Sequence, residues 1–494
     1  MPAMYYIPLV NSPLLDELSE LDNLDLTAST TKILRPDDYD SWNEVFAQNP
    51  DTLDFVLTPG NYTKWGICRI NGQGFPDVGR RRTIQIYPPS NTVVDIGQRA
   101  RLHPVRRPFY QAYVASFQFG INYTADPLAR AKGWIIHGLT DVNRLVQDRS
   151  DLTQAESSWV LRNCEDIVID TCLIEGSAVS GVIVLGSNCT VQRCVIRNFQ
   201  KRTKADTVGV LTQAQRGNPV QNNQFLDNEI YNVGDCVHAN VGSLAGETDE
   251  LLRYSPVGGT IIDGNDLYNE KPYFDTIENI VDIKSGDPDN PCRITNNRMW
   301  GHARGNPAIG SSGGSFHMVT FHRGARNWVV ENNIIGDGIS GYYESVWSPQ
   351  DLATGFVSSA FHPRGISVKG NLFYNLEYAF GPTIDGQIFN NDVLNVHTLF
   401  YKSSDAAKAA DDPMPLITGN RLLNVHRIHF AQSDIPERVL GPNHEPPFDR
   451  NDNAERSPSW FVYERRRWTG PELELVRVLD HLILPDDEVL YNLP

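Results

Sequence analysis

Three short stretches concentrate side chains that can move protons or hold charge. They are Asp235-Cys-Val-His238-Ala-Asn240, Glu278-Asn279-Ile-Val-Asp282-Ile-Lys284-Ser285-Gly286 and His317-Met-Val-Thr-Phe321-His322-Arg323-Gly324. Aligned on their apolar positions and run as neighbouring strands roughly 4.8 Å apart, they place Asp235, Glu278 and His317 in one column and Lys284 beside Arg323 in another. An acidic cluster and a basic pair would then share one face. Such a set suits β-elimination on a uronate polymer, whose difficult step removes a weakly acidic proton next to a carboxylate. That carboxylate must be neutralised by a metal or by donors before a base can act. Lys284 is the expected base, because a cationic neighbour such as Arg323 draws its pKa toward neutrality. Asp235, Glu278, Asn279 and Asp282 are hard oxygen ligands of the kind Ca²⁺ accepts at about 2.4 Å, so Ca²⁺ is the expected cofactor. His238 and His317 are expected to contact substrate in a polar groove. An internal salt bridge from Lys284 to Glu278 or Asp282 would produce the same residue types.

The elements that must position these residues announce themselves as a repeat. A phrase of hydrophobic residue, two variable residues, Asn, one variable residue and a second hydrophobic residue recurs with Asn at 228, 265, 297, 333, 371, 391 and 420. Cys172 and Cys194 occupy the same place upstream. A second Asn often follows four residues later, at 198, 232, 269, 375, 395 and 424. Intervals between ladder positions run 22, 34, 37, 32, 36, 38, 20 and 29 residues, a constant core joined by loops of different length. Solenoids vary in this way, since insertions go outside the stacked core. The units are short, β-branched and alternating, which excludes helical repeats. Asn tolerates the left-handed backbone of a sharp turn, and its amide can bond to the same residue one coil away. The expected fold is therefore an all-β, right-handed parallel β-helix of the pectate-lyase-like kind with an internal asparagine ladder.

Asp38 through Ala47 reads as a capped amphipathic helix covering the open end of the stack. After about residue 430 the phrase is lost, and Glu472 through Leu484 is a candidate closing strand or helix. The expected organisation is an N-terminal segment and cap over 1–50, a β-helix carrying the groove over 51–430, and a C-terminal cap and tail over 431–494.

Lys plus Arg total 43 against 60 Asp plus Glu, a net charge of −17, so general affinity for a nucleic-acid backbone is not expected. No apolar run is long enough to span a membrane, and the first fifteen residues lack the basic and apolar regions of a signal peptide. The expectation is a soluble protein, with secreted or periplasmic origin suggested only by the size of a polymeric substrate. Seven scattered cysteines without a CxxC read as buried thiols.

Asn279-Ile-Val-Asp-Ile-Lys284-Ser285, followed by Phe321-His322-Arg323-Gly324 and Val330-Glu-Asn332-Asn333, resembles the family 6 polysaccharide lyases, the chondroitinase B and alginate lyase group. The matched stretch runs roughly from Asp235 to Asn333, and the His-Arg order here is the reverse of that family's. The resemblance implies Lys284 as base, an acid from the His322 and Arg323 pair, and calcium near Asn279. The expected partner is an anionic polysaccharide, tracked by Lys201 and Arg202 and stacked upon by Tyr342 and Trp347 from a long loop. The alternatives are a glycoside hydrolase using paired carboxylates among Asp235, Glu278 and Asp282, and a glycan-binding β-helix without catalysis. Oligomeric state is not legible.

Overall fold

Each coil is made of three short strands, and each strand pairs in parallel with the strand one coil later. The computed structural model describes residues 24–72, 75, 80–86, 112–114, 116–120, 130–142, 157–176, 180–199, 207–214, 218–241, 256–269, 278–301, 317–322, 324–344, 363–381, 387–402, 416–431 and 454–456. One coil runs through Gln224–Leu226, Glu229–Tyr231 and Asp235–Val241. The next uses Ile261–Asp263, Asp266–Tyr268 and Asn279–Ile283, and the one after it Cys292–Thr295, Arg298–Trp300 and His317–Phe321. Register places apolar on apolar down each face. Phe225 stacks on Ile262, Ile294 and Val330. Ile230 stacks on Leu267, Met299 and Ile335. Val237 stacks on Val281, Val319 and Tyr342. All of these side chains are buried in one continuous core, and the fold is the expected parallel β-helix.

The corners divide between neighbouring residues two tasks that the sequence reading gave to one. The ladder asparagines point inward and carry the hydrogen bonds. Asn265 Nδ2 donates to Asn297 Oδ1 at 2.8 Å, and Asn297, Asn333, Asn371 and Asn391 each donate to the next Asn at 2.9 Å. The left-handed backbone belongs to the residue before each, among them Asp227 (φ 53°), Asn296 (φ 56°), Asn332 (φ 58°) and Asn390 (φ 55°). Gly264, Gly370 and Gly419 fill the same place, where the absence of a Cβ removes the cost of positive φ. The second series, Asn198, Asn232, Asn375 and Asn395, turns another corner, also with positive φ. Upstream, the Cys194 N–H donates to Asn228 Oδ1 and the Cys172 N–H to Cys194 Sγ, so thiols continue the ladder. All seven cysteines are free and buried.

The helix is Trp42–Gln48, with Ser41 as N-cap accepting the Glu44 N–H. Its apolar face enters the core: Trp42 meets Trp65 edge-on at 5.2 Å, and Phe46 meets Phe55 at 5.4 Å. The sheet begins ahead of it, because Thr31–Leu34 already pairs with Asp54–Leu57. At the other end Ala454–Arg456 pairs with Arg421–Leu423, one rung beyond residue 430. The Glu472 to Leu484 expectation lies outside the described residues. No helix among the described residues is long and apolar enough to cross a membrane. Arg80 and Arg81 bind Asp54 and Asp166, and Arg82 is buried against the Thr52 carbonyl, so this basic run holds the chain to itself.

Candidate functional site

The third face gathers the ionisable residues by register. His238 pairs with Asp282, and Asp282 with Thr320. Asn279 pairs with His317. The Asn279 N–H donates to Asp235 Oδ1 at 3.0 Å, so the column reads Asp235, Asn279, His317, and not Glu278 as the core alignment suggested. The slip is one residue, enough to move a strand's side chains to its other face. Its source is local: Ile280 and Val281 are both apolar and both buried, and either could have been aligned.

Alternation turns Asp282 away from the core residues Val281 and Ile283, yet it is completely buried. What covers it is charge. Lys284 Nζ lies 2.8 Å from Asp282 Oδ2, His322 Nε2 3.1 Å from Oδ1, and His238 Nε2 3.8 Å from Oδ2. On its other side His238 Nδ1 is 3.3 Å from Asp235 Oδ2. The result is a chain in which carboxylates and nitrogen bases alternate, Asp235, His238, Asp282, then Lys284 and His322. Lys284 and His322 are its outermost members, with side chains 32% and 22% exposed. Lys284 has His322 as its neighbour in the next coil, since Ile283 pairs with Phe321 and the His322 N–H donates to the Ile283 carbonyl.

Burial by itself would push the Asp282 pKa up. The charges of His238 and His322, the His322 hydrogen bond and the Lys284 charge outweigh it and hold the carboxyl well below the usual range. Burial likewise favours the neutral amine at Lys284, but Asp282, with Asp235 and Glu278, more than compensates and raises its pKa. This is opposite to the direction expected for a lysine beside Arg323, and the internal ion pair to Asp282 is its cause. Cys236 is fully buried in the core, and burial pushes its thiol pKa well up.

Other expected contacts divide. Tyr342 is not a loop residue but a core one, fully buried in Ile334–Glu344, with its hydroxyl donating to Glu344 Oε1 at 2.6 Å. It cannot stack on a sugar. Glu278 is half-buried at the start of the strand, and His317 is half-buried at the start of its own. Arg323, Lys201, Arg202 and Trp347 lie outside the described residues.

Calcium does not fit this donor set. Asp235, His238 and Asp282 do bring three ligand atoms within 4.8 Å of one another. However, an imidazole stands between the two carboxylates, and a cation at Asp282 would face the Lys284 ammonium already in contact with it. Asp235 Oδ1 is taken by the Asn279 N–H, and Asn279 Oδ1 by the Thr320 hydroxyl at 3.0 Å. Calcium calls for six to eight oxygens, and here the chain's own cations occupy the carboxylate surface.

No family model and no curated protein matches the chain. Among solved structures it is similar to the A-module of the mannuronan C-5 epimerase AlgE6 of Azotobacter vinelandii, at 12% identity over 82% of this chain and 91% of that one, with a TM-score of 0.42. It is similar to a mannuronic acid specific polysaccharide family 6 lyase from human gut microbiota, at 10% identity over 91% and 99%, TM-score 0.46. It is also similar to the catalytic domain of a GH87 alpha-1,3-glucanase, at 9% identity over 87% and 69%, TM-score 0.45. These similarities concern the scaffold, and a scaffold hosts many chemistries.

Proposed function

We propose that this face is the active site of a polysaccharide lyase acting on a uronate-containing glycan. The observation that carries the reading is one buried carboxylate, Asp282, holding a lysine and a histidine side by side at the groove surface. The raised pKa of Lys284 supports giving it the neutralising role: its ammonium lies against the uronate carboxylate and stabilises the charge that builds as the C5 proton leaves. His322 takes the base role expected of Lys284. In its neutral form, with Nε2 lying 3.1 Å from Asp282 Oδ1, His322 has a ring nitrogen to accept the C5 proton. The electron pair from the C5–H bond forms the C4=C5 double bond as the C4–O4 bond breaks. The proton then passes from the imidazole to the departing O4, which restores the base. No step in this sequence runs through calcium.

The hydrolase reading is less well supported. It needs two carboxyl groups flanking a glycosidic bond, whereas Asp235 and Asp282 are both buried behind His238 and Lys284 and, of the three candidates, Glu278 alone is half-buried. The test is near-ultraviolet absorbance during incubation with a panel of uronates, using wild type, Lys284→Ala and His322→Ala. The expected result is an unsaturated product on one polymer and a loss of about 10²-fold or more in each variant. New reducing ends without absorbance would overturn the reading in favour of hydrolysis.

A further inference from the structure

One arginine on the groove face stays outside the ion pairs that engage its neighbours. Leu161 faces the core, fully buried, and pairs with Phe119 and Val184, so alternation turns Arg162 outward at the end of its straight run. Arg162 pairs with Leu185, and because Val184 pairs with Thr212, the next position in that column is Gln213. Gln213 pairs with Asn240, and the Lys284 N–H donates to the Ala239 carbonyl, which sets Lys284 beside Asn240. Arg162, Leu185, Gln213, Asn240 and Lys284 therefore form one outward column, with Arg162 four coils before Lys284.

Arg162 is half-buried, and its Nε is enclosed without a hydrogen-bond partner. Among the described residues no carboxylate pairs with it, although the chain carries 60 acidic residues against 43 basic ones. The carboxylates that follow it in sequence are engaged elsewhere. Asn163 turns the chain with positive φ (46°), and beyond that corner Glu165 binds Arg130 at 3.4 Å and Asp166 binds Arg81 at 2.7 Å. Enclosing a guanidinium nitrogen without a partner costs free energy that an incoming acceptor restores. The planar fork of arginine matches a carboxylate, the same group that the active-site reading brings to Lys284. Four coil spacings of roughly 4.8 Å come to about 19 Å, close to the length of four sugar rings in an extended glycan. In a twofold ribbon of uronates successive rings turn over, so an even offset returns the carboxylate to the side that faces the column.

We infer that Arg162 is a second anion subsite, which receives the carboxylate of the uronate four units away from the one held at Lys284. It rests on the active-site reading above for the place of the reacting uronate, and it makes the preferred substrate a chain long enough to reach both cations. Trimers and hexamers of mannuronate, galacturonate and glucuronate provide the test, because a trimer that extends from Lys284 stops two coils short of Arg162, whereas a hexamer reaches it with a unit to spare. Affinity is measured by calorimetry and turnover by absorbance, each separately. On the uronate that binds best, Arg162→Gln should lower the affinity for the hexamer about tenfold relative to that for the trimer. Arg162→Met, which keeps the apolar stem, gives the same readout should the first fail to fold. An unchanged ratio of the two affinities in a folded variant overturns the subsite, as does failure of every hexamer to bind wild type. A ratio that falls as expected while no oligomer yields an unsaturated product refutes the lyase and leaves the subsite standing.

Discussion

Replacing Asp282 by Asn keeps its shape and removes the one charge on which Lys284, His322 and His238 converge. Removing one partner of a buried ion pair costs about 3–5 kcal/mol, because the other is left buried and uncompensated. Here the side chains of Lys284 and His322 are 32% and 22% exposed, so water recovers part of that cost. The expected loss of stability is therefore about 2 kcal/mol. Its pH dependence is more diagnostic than its size. The folded pKa of Asp282 lies below its unfolded value, so its contribution is present above about pH 4 and is lost as pH falls through the unfolded value toward the folded one. The folded pKa of Lys284 is raised, so its contribution is present below about pH 10 and is lost as pH rises through the folded value. The stability difference between wild type and Asp282→Asn should thus shrink below about pH 4 and above about pH 10. Urea unfolding at a series of pH values reads this directly. Turnover of the identified uronate should fall about 10²-fold or more with folding intact, since both groove-facing groups lose their common anchor. A variant as stable as wild type at every pH would refute the coupled cluster, and one with unchanged turnover would refute the site.

Three further outcomes follow from the same geometry. Asn297 accepts the Asn265 N–H and side-chain amide and donates to the Ile262 carbonyl and to Asn333; Asn297→Ala should cost about 3 kcal/mol in denaturant unfolding by leaving these buried partners unsatisfied. Burial raises the pKa of Asp141 well above the carboxylate range, while the Trp159 indole N–H donates to its Oδ2 at 2.8 Å. Its neutral form therefore stabilises the fold fully below the unfolded value of about 4, and the contribution is lost as pH rises from there through the raised folded value, so Asp141→Asn should flatten the decline of the melting temperature above about pH 4. Turnover should be unchanged by a calcium chelator, and calorimetric titration of the protein with calcium should show no binding at the cluster, because Lys284 and the histidines already compensate its carboxylates.

Much of the fold is legible because a ladder position must recur in every coil, and a recurring Asn in a hydrophobic frame survives loops of any length. The frame could not show which of two adjacent residues bends the chain. Asn296 and Asn297 are the same residue type, yet one takes positive φ and the other the ladder bonds. Tyr342 misled for a related reason: its surroundings read as a loop, whereas Ile334–Glu344 continues through a corner at Asp337 (φ 52°) as one bent strand. The helix was legible from its cap, but not that a strand precedes it, since Thr31–Leu34 is too short to show a period.

The ion cluster was legible in its members more than in its depth. Asp235, His238, Asp282, Lys284 and His322 were all candidates, because ionisable residues in an apolar frame stand out. Period-two alternation correctly turns Asp282 outward, and an outward carboxylate on a groove is naturally read as a ligand for a metal or a sugar. Alternation carries no information on what folds over a residue from neighbouring coils. Lys284 reaches back from two positions along the same strand, His322 arrives from the next coil and His238 from the previous one, and together they bury a side chain that its own strand exposes. That coverage changes the chemistry in kind: a carboxylate open to the groove would recruit a cation from solution, whereas one already enclosed by three nitrogen bases fixes their positions and sets the charge on the lysine. The length of chain between Ile283 and His317 conceals this, because only the register of the sheet brings Lys284 and His322 together.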